Sequence, residues 1–220
     1  MKRIATLFLA LLMLAALPLS LSACKGSKEL EKLDGYAASE AISDYVRFNV
    51  TYTNAKGKTQ TGDIVVKLQG DIAPITVANF QQLVNESFYN GLTFHRVYKG
   101  FMIQGGCPKG DGTGDSGTKI TGEFSENGIE NSISHLRGVI SMARGSYSMD
   151  SASCQFFIMH KDTYSSSLDG LYAAFGKVVY GMDVVDEIAE VETKYNSSFE
   201  KSVPVTDVII KSVYFVTPQE

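Results

Sequence analysis

From Tyr45 onward the apolar residues come in short runs, each bounded by glycine, serine, asparagine or aspartate, and this punctuation constrains the fold more than any other feature of the chain. The runs are "YVRFNVTYT", "GDIVVKL", "GVISMA", "CQFFIMH", "YAAFGKVV" and "VTDVIIKSVYFV". They are too short for buried helices and rich in β-branched and aromatic residues, so they read as strands. In the first, Val46, Phe48, Val50 and Tyr52 alternate with Tyr45, Arg47, Asn49 and Thr51, a period of two. "NAKGK" then supplies a turn into "GDIVVKL", which predicts a hairpin. Only two segments carry helical spacing. One is "DIAPITVANFQQLVNESF", with Pro74 near its start and Val77, Phe80, Leu83 and Val84 on one face; the other is "GMDVVDEIAEV", with Val184, Val185, Ile188 and Val191. Many strands and two helices in so short a span predict a mainly β domain, a closed barrel capped by the helices.

Residues 1–23 are a separate object. Lys2 and Arg3 precede an almost unbroken apolar run from Ile4 to Leu21, the n-region and h-region of an export signal. "LSAC" at 21–24 resembles the bacterial lipobox, in which cleavage precedes a cysteine whose thiol carries a diacylglyceryl group. The expected organisation is a lipoprotein signal at 1–23, lipidated Cys24 with a polar tether to residue 43, and a folded domain over 44–220. The protein is then expected outside the cytoplasm, held to the cell membrane by its N-terminal lipid. Without residues 1–23 the chain keeps 18 Lys and Arg against 24 Asp and Glu, a net −6. That balance speaks against a nucleic-acid partner.

Metal and cofactor chemistry find little support. There is no CxxC, no HExxH, and there are three histidines in all, so neither a metal nor a cofactor is expected. Cys107 and Cys154 are read as free, partly buried thiols in preference to a disulfide. "GTGDSG" at 112–117 matches GxGxxG, but the following "TKITGEF" is not helical, so a Gly-rich surface loop is the better reading. "SGTK" and "SFEK" match SxxK without the companion motifs of serine acylases. The carboxylates are scattered over turns and helix faces, as solvated surface requires.

"FHRVYKGFMIQGG" at 94–106 is harder to place, because Arg96 sits inside an apolar run that reads as two short strands. Arginine is almost never buried unpaired. Taken with "GTG", "GEF", "RGVISMAR", "SCQFFI", "LDG", "FGKV" and "GMDVVDEI", all in order, this stretch resembles the cyclophilins, the peptidyl-prolyl cis/trans isomerases, from about Asp44 to Val216. The resemblance implies an eight-stranded antiparallel barrel closed by two helices. It implies that Arg96, Phe101 and Gln104 are catalytic, Gln104 orienting Arg96. It further implies that Met102, Phe157 and Leu168 line a proline pocket with Phe101, that Gln155 and the Arg144 backbone hold the peptide, and that Ala143, His135 and Tyr172 complete the substrate site.

Three departures from the family pattern stand out. Ser167 occupies the place of an aromatic residue that closes one side of the groove and contacts cyclosporin in well-studied members. Tyr172 replaces a common histidine. The loop "ARGSYSMDSASC" is longer than in the shorter eukaryotic members. Thr113, Glu123 and Cys154 fall where the family has a gate to a secondary groove. The function expected is isomerisation of Xaa-Pro bonds in unfolded exported proteins and proline-containing peptides, by a monomer. The rival class is a proline-peptide binding module or holdase with incidental turnover; retention of Arg96 favours the enzyme, since binding alone would not require it.

Overall fold

In the computed structural model residues 33–219 are described, so the expected signal segment, Cys24 and the first part of the tether lie outside the described residues. Eleven strands are found among the described residues: β1 (Tyr36–Ala38), β2 (Tyr45–Thr53), β3 (Thr59–Leu68), β4 (Arg96–Tyr98), β5 (Met102–Gly105), β6 (Val139–Met142), β7 (Phe156–Met159), β8 (Ala174–Tyr180), β9 (Thr193–Tyr195), β10 (Lys201–Pro204) and β11 (Ile209–Pro218). Three α-helices accompany them: α1 (Pro74–Asn85), the single turn α2 (Ser165–Leu168) and α3 (Met182–Ala189). The expected β2–β3 hairpin and both expected helices are present, with Val77, Phe80, Leu83 and Val84 of α1 buried.

Nine strands form one antiparallel sheet in the order β1-β11-β2-β3-β8-β6-β7-β5-β4, and β9 and β10 pair separately. The expectation of a closed eight-stranded barrel is thereby corrected: the fold is mainly β, but the sheet ends in two edges, β1 and β4. The chain before β4 does approach β11, through a single Thr93–Ile209 bridge. Phe94 N–H donates to the Val208 carbonyl at 2.9 Å and Ile210 N–H to the Leu92 carbonyl at 2.8 Å. No ladder grows from this contact. Gly91 turns there at a φ of 82°, and the β11 register shifts between Ile210 and Ser212, so the two segments leave step at once. Tyr36–Ala38, within the stretch expected to be tether, pair with Val216–Pro218 of β11.

Side-chain alternation sorts the buried apolar residues of the strands into three clusters, two of which build the centre of the domain and the site. The main core holds Phe48, Ile103, Ile140, Phe156, Ile158 and Phe175, into which α1 inserts Phe80; its ring lies 5.1 Å from Phe175 and 5.8 Å from Phe156. The opposite face of β5, β6 and β7 carries a second cluster of Met102, Val139, Phe157, Met159, Leu168 and Ala174. Gly106 lets the chain leave β5 at close quarters. Its φ is 82°, and a Cβ there would meet the Cys154 carbonyl oxygen at 2.6 Å.

Candidate active site

The strand register assembles the site. Arg96 of β4 stands opposite Gln104 of β5, Gln104 opposite Phe157 of β7, and Phe157 opposite Ser141 of β6. Four residues from three distant parts of the chain thus form one row across the outer face of the sheet. Adjacent to the row, Phe101 and Tyr172 pack half-buried against the second apolar cluster. Met102, Phe157 and Leu168 are buried beneath them.

Arg96 is held on two sides. Its Nη1 donates to Gln104 Oε1 at 3.2 Å, while Nε and Nη2 donate to Glu200 Oε1 and Oε2 at 2.7 and 2.8 Å. Its guanidinium carbon also lies 5.9 Å from the Phe101 ring centre. A guanidinium has five N–H groups, so these bonds leave one on each terminal nitrogen. The pairing acts on the acid too: its hydrogen bonds to Arg96 hold the Glu200 carboxyl below the usual range. Beyond Gln104 the network continues. Gln104 Nε2 donates to Gln155 Oε1 at 3.0 Å, and Gln155 Nε2 donates to the carbonyls of Gly112 and Gly114, both at 2.8 Å.

Gln104 borders two clefts. One, of about 270 Å³, is lined by Thr113, Ala143, Arg144, Tyr147 and Gln155. The other, of about 380 Å³, is lined by His95, Arg96, Asp111, Asn196 and Ser202. The Arg144 side chain lies over Tyr172, 5.0 Å from its ring centre, and donates from Nε to the Leu171 carbonyl at 2.9 Å.

His135 is placed differently from expectation. It is 1% exposed and sits behind Phe157, its ring stacked at 6.0 Å and 17°. Its Nδ1 meets Asp169 Oδ1 at 2.8 Å and its Nε2 meets Ser141 Oγ at 2.9 Å. A neutral ring protonated on Nδ1 satisfies both partners. Burial favours that form, lowering the His135 pKa against the upward pull of Asp169. His135 therefore braces the Phe157 ring and does not reach a ligand on the open face.

The expected secondary gate is also corrected in two of its three members. Thr113 does line the smaller cleft. Glu123, 1% exposed, instead accepts from the backbone N–H groups of Ile75 and Thr76 at 3.0 and 2.7 Å. Helix α1 has no side-chain cap of its own, and Glu123 supplies the missing acceptor. Cys154 is fully buried; burial pushes its thiol up to about 11. Cys107 and Cys154 are both free.

Two residues at the site escaped the sequence reading. Glu200 is one. Tyr164 is the other: it precedes α2 and its ring lies 4.5 Å from that of Phe101. Ser167 is exposed, and the aromatic ring that packs on Phe101 comes from three residues earlier. A tyrosine one helical turn from a position that lacks its expected aromatic ring is a signal the sequence does contain. Glu200 offers no comparable signal.

Residues 54–214 match the family described as cyclophilin type peptidyl-prolyl cis-trans isomerase/CLD. The chain is 40% identical over 169 residues to peptidyl-prolyl cis-trans isomerase A of Dickeya dadantii, covering 76% of this chain and 86% of that protein. It is 45% identical over 161 residues to peptidyl-prolyl cis-trans isomerase B of Escherichia coli K12, covering 70% and 94%. Among solved structures it resembles a cyclophilin-type isomerase of Cryptosporidium parvum crystallised in the presence of the dipeptide Ala-Pro. The TM-score is 0.59 at 27% identity, over 76% of this chain and 98% of that one.

Proposed function

The chain belongs to the cyclophilin-type peptidyl-prolyl cis-trans isomerases, and from that premise we propose that Arg96 drives the isomerisation, acting on proline seated over the second apolar cluster. The observation that carries this is the row Arg96, Gln104, Phe157, which sets a cation with two N–H groups to spare beside a face built for an apolar ring.

The barrier to rotation about a peptide bond is about 18–20 kcal/mol and arises from amide resonance. As the amide twists, electron density returns to the prolyl nitrogen, which becomes basic. A fixed donor aimed there binds the twisted state more strongly than the planar one, the condition for catalysis. An acceleration of about 10⁴ needs roughly 5.5 kcal/mol. One charge-assisted hydrogen bond from Arg96 and immobilisation of the proline ring against Phe101, Phe157 and Tyr172 supply most of that. Gln155 and the cleft beside Ala143 and Arg144 take the chain on the N-terminal side of proline. No covalent intermediate is required.

The substrates in this reading are proline-containing segments of unfolded exported proteins, met outside the cytoplasm by an enzyme tethered through lipid on Cys24. "LSAC" and the apolar run before it support that placement. A protease-coupled assay on an Ala-Pro peptide tests the chemistry: Arg96→Ala lowers kcat/KM by about 10²–10³, and a wild type no faster than that variant overturns the reading. Fractionation tests the anchor: Cys24→Ala releases the protein from membranes, and undiminished membrane association refutes lipidation there.

A further inference from the structure

We propose that Glu200 is a positioning residue for Arg96, delivered by the β9–β10 hairpin and responsible for aiming the guanidinium that the reading above makes catalytic. An arginine side chain has four rotatable bonds, and a donor that wanders over them loses most of its value in the transition state. Gln104 holds Arg96 by a single hydrogen bond, at 3.2 Å, to an uncharged amide oxygen. Glu200 grips Nε and Nη2 together, and two parallel charge-assisted bonds fix the plane of the group as well as its distance. The two N–H groups left over lie on Nη1 and Nη2, so the carboxylate takes one edge and leaves both terminal nitrogens able to serve a substrate.

The hairpin is constructed to present this carboxylate. β10 lies beside β4. Between β9 and β10 the chain closes on Asn196, whose Oδ1 accepts from the N–H groups of Ser198 and Glu200, both at 2.9 Å. The Asn196 N–H in turn donates to the Glu200 carbonyl at 2.9 Å. Phe199, immediately before Glu200, takes a left-handed conformation at a φ of 58°, unusual for a bulky residue. Its ring is 89% exposed, so side-chain packing does not account for the strained backbone. The turn places Glu200 against Arg96.

The test measures kcat and KM separately on an Ala-Pro peptide for wild type, Glu200→Ala, Arg96→Lys and the double variant. Glu200→Ala is expected to lower kcat about tenfold while KM changes less than twofold, the signature of an interaction needed for orientation. Glu200→Gln, which keeps the shape and one acceptor, falls between. In the Arg96→Lys background the same Glu200→Ala change removes less than a further twofold, because the group it aims is gone. An unchanged kcat in Glu200→Ala overturns the proposal, as does an equal tenfold loss in both backgrounds, which marks the ion pair as merely structural. A wild type that does not accelerate isomerisation removes the function itself, and this role with it; an active wild type with an unaffected Glu200→Ala removes the role alone.

Discussion

Phe157 separates packing from catalysis, because its ring is buried like a core residue yet lies in the cluster on the outer face of the sheet. Replacing it with leucine keeps an apolar side chain and loses two aromatic contacts, the stack on His135 at 6.0 Å and the edge-on contact to Tyr172 at 5.9 Å. Such contacts contribute about 0.5–1.5 kcal/mol each, so the loss is about 1–3 kcal/mol. In a domain of this size that lowers Tm by about 2–12 °C. The main core, built on Phe156 and its neighbours, is untouched, and the variant is expected to fold. The proline site loses the flat surface against which the ring packs. Misfit in an apolar pocket costs about 1–3 kcal/mol of transition-state binding, so kcat/KM falls by about tenfold or more. Urea titration gives the stability and a protease-coupled assay at a temperature well below the variant's Tm gives the rate. Full activity in a destabilised Phe157→Leu protein would refute the pocket and leave Phe157 an ordinary packing residue. Loss of most of the folding free energy would refute the separation of this cluster from the main core.

Three further outcomes are expected. Tyr164→Ala removes the ring against Phe101, raising KM severalfold with little change in kcat, since a rim contact serves planar and twisted amides alike; a fall in kcat alone contradicts this. All three histidines have lowered pKa values, His95 to about 4 through burial and then Arg96, His135 and His160 chiefly through burial. The unfolded chain therefore binds more protons below its ordinary histidine pKa. Stability is complete above about pH 6.5 and declines as pH falls toward 4, His95 alone contributing up to about 3 kcal/mol. Urea midpoints that stay flat between pH 7.5 and 4.5 would contradict this. Gly106→Ala, facing a carbonyl oxygen at 2.6 Å and a left-handed φ, destabilises the fold by more than about 1 kcal/mol; an unchanged urea midpoint would show that the turn relaxes freely.

Much of the local structure was legible in the sequence. The alternation in "YVRFNVTYT" specified a strand and its buried face, with one exception: Arg47 is also buried, at 3% exposure, paired with Asp63 across the hairpin. The apolar spacing after Pro74 specified α1. The order of short motifs pointed to the family, and through it to Arg96, Gln104, Phe101 and Phe157, which the structure brings together. The closed barrel was not correct, because closure depends on whether residues 91–94 stay in step with β11, and a turn and a register shift prevent it.

The sequence by itself determined the periodicities, the turns and the misfit of one arginine in an apolar run, since each of these depends on neighbours a few residues apart. Tertiary structure alone decided which acid that arginine pairs with. Glu200 lies 104 residues away, Glu123 caps a helix that begins 49 positions earlier, and His135 braces a ring on a strand it does not adjoin in sequence. Contacts of this kind are set by strand register and hairpin placement, and they leave no repeating pattern in the chain from which to read them.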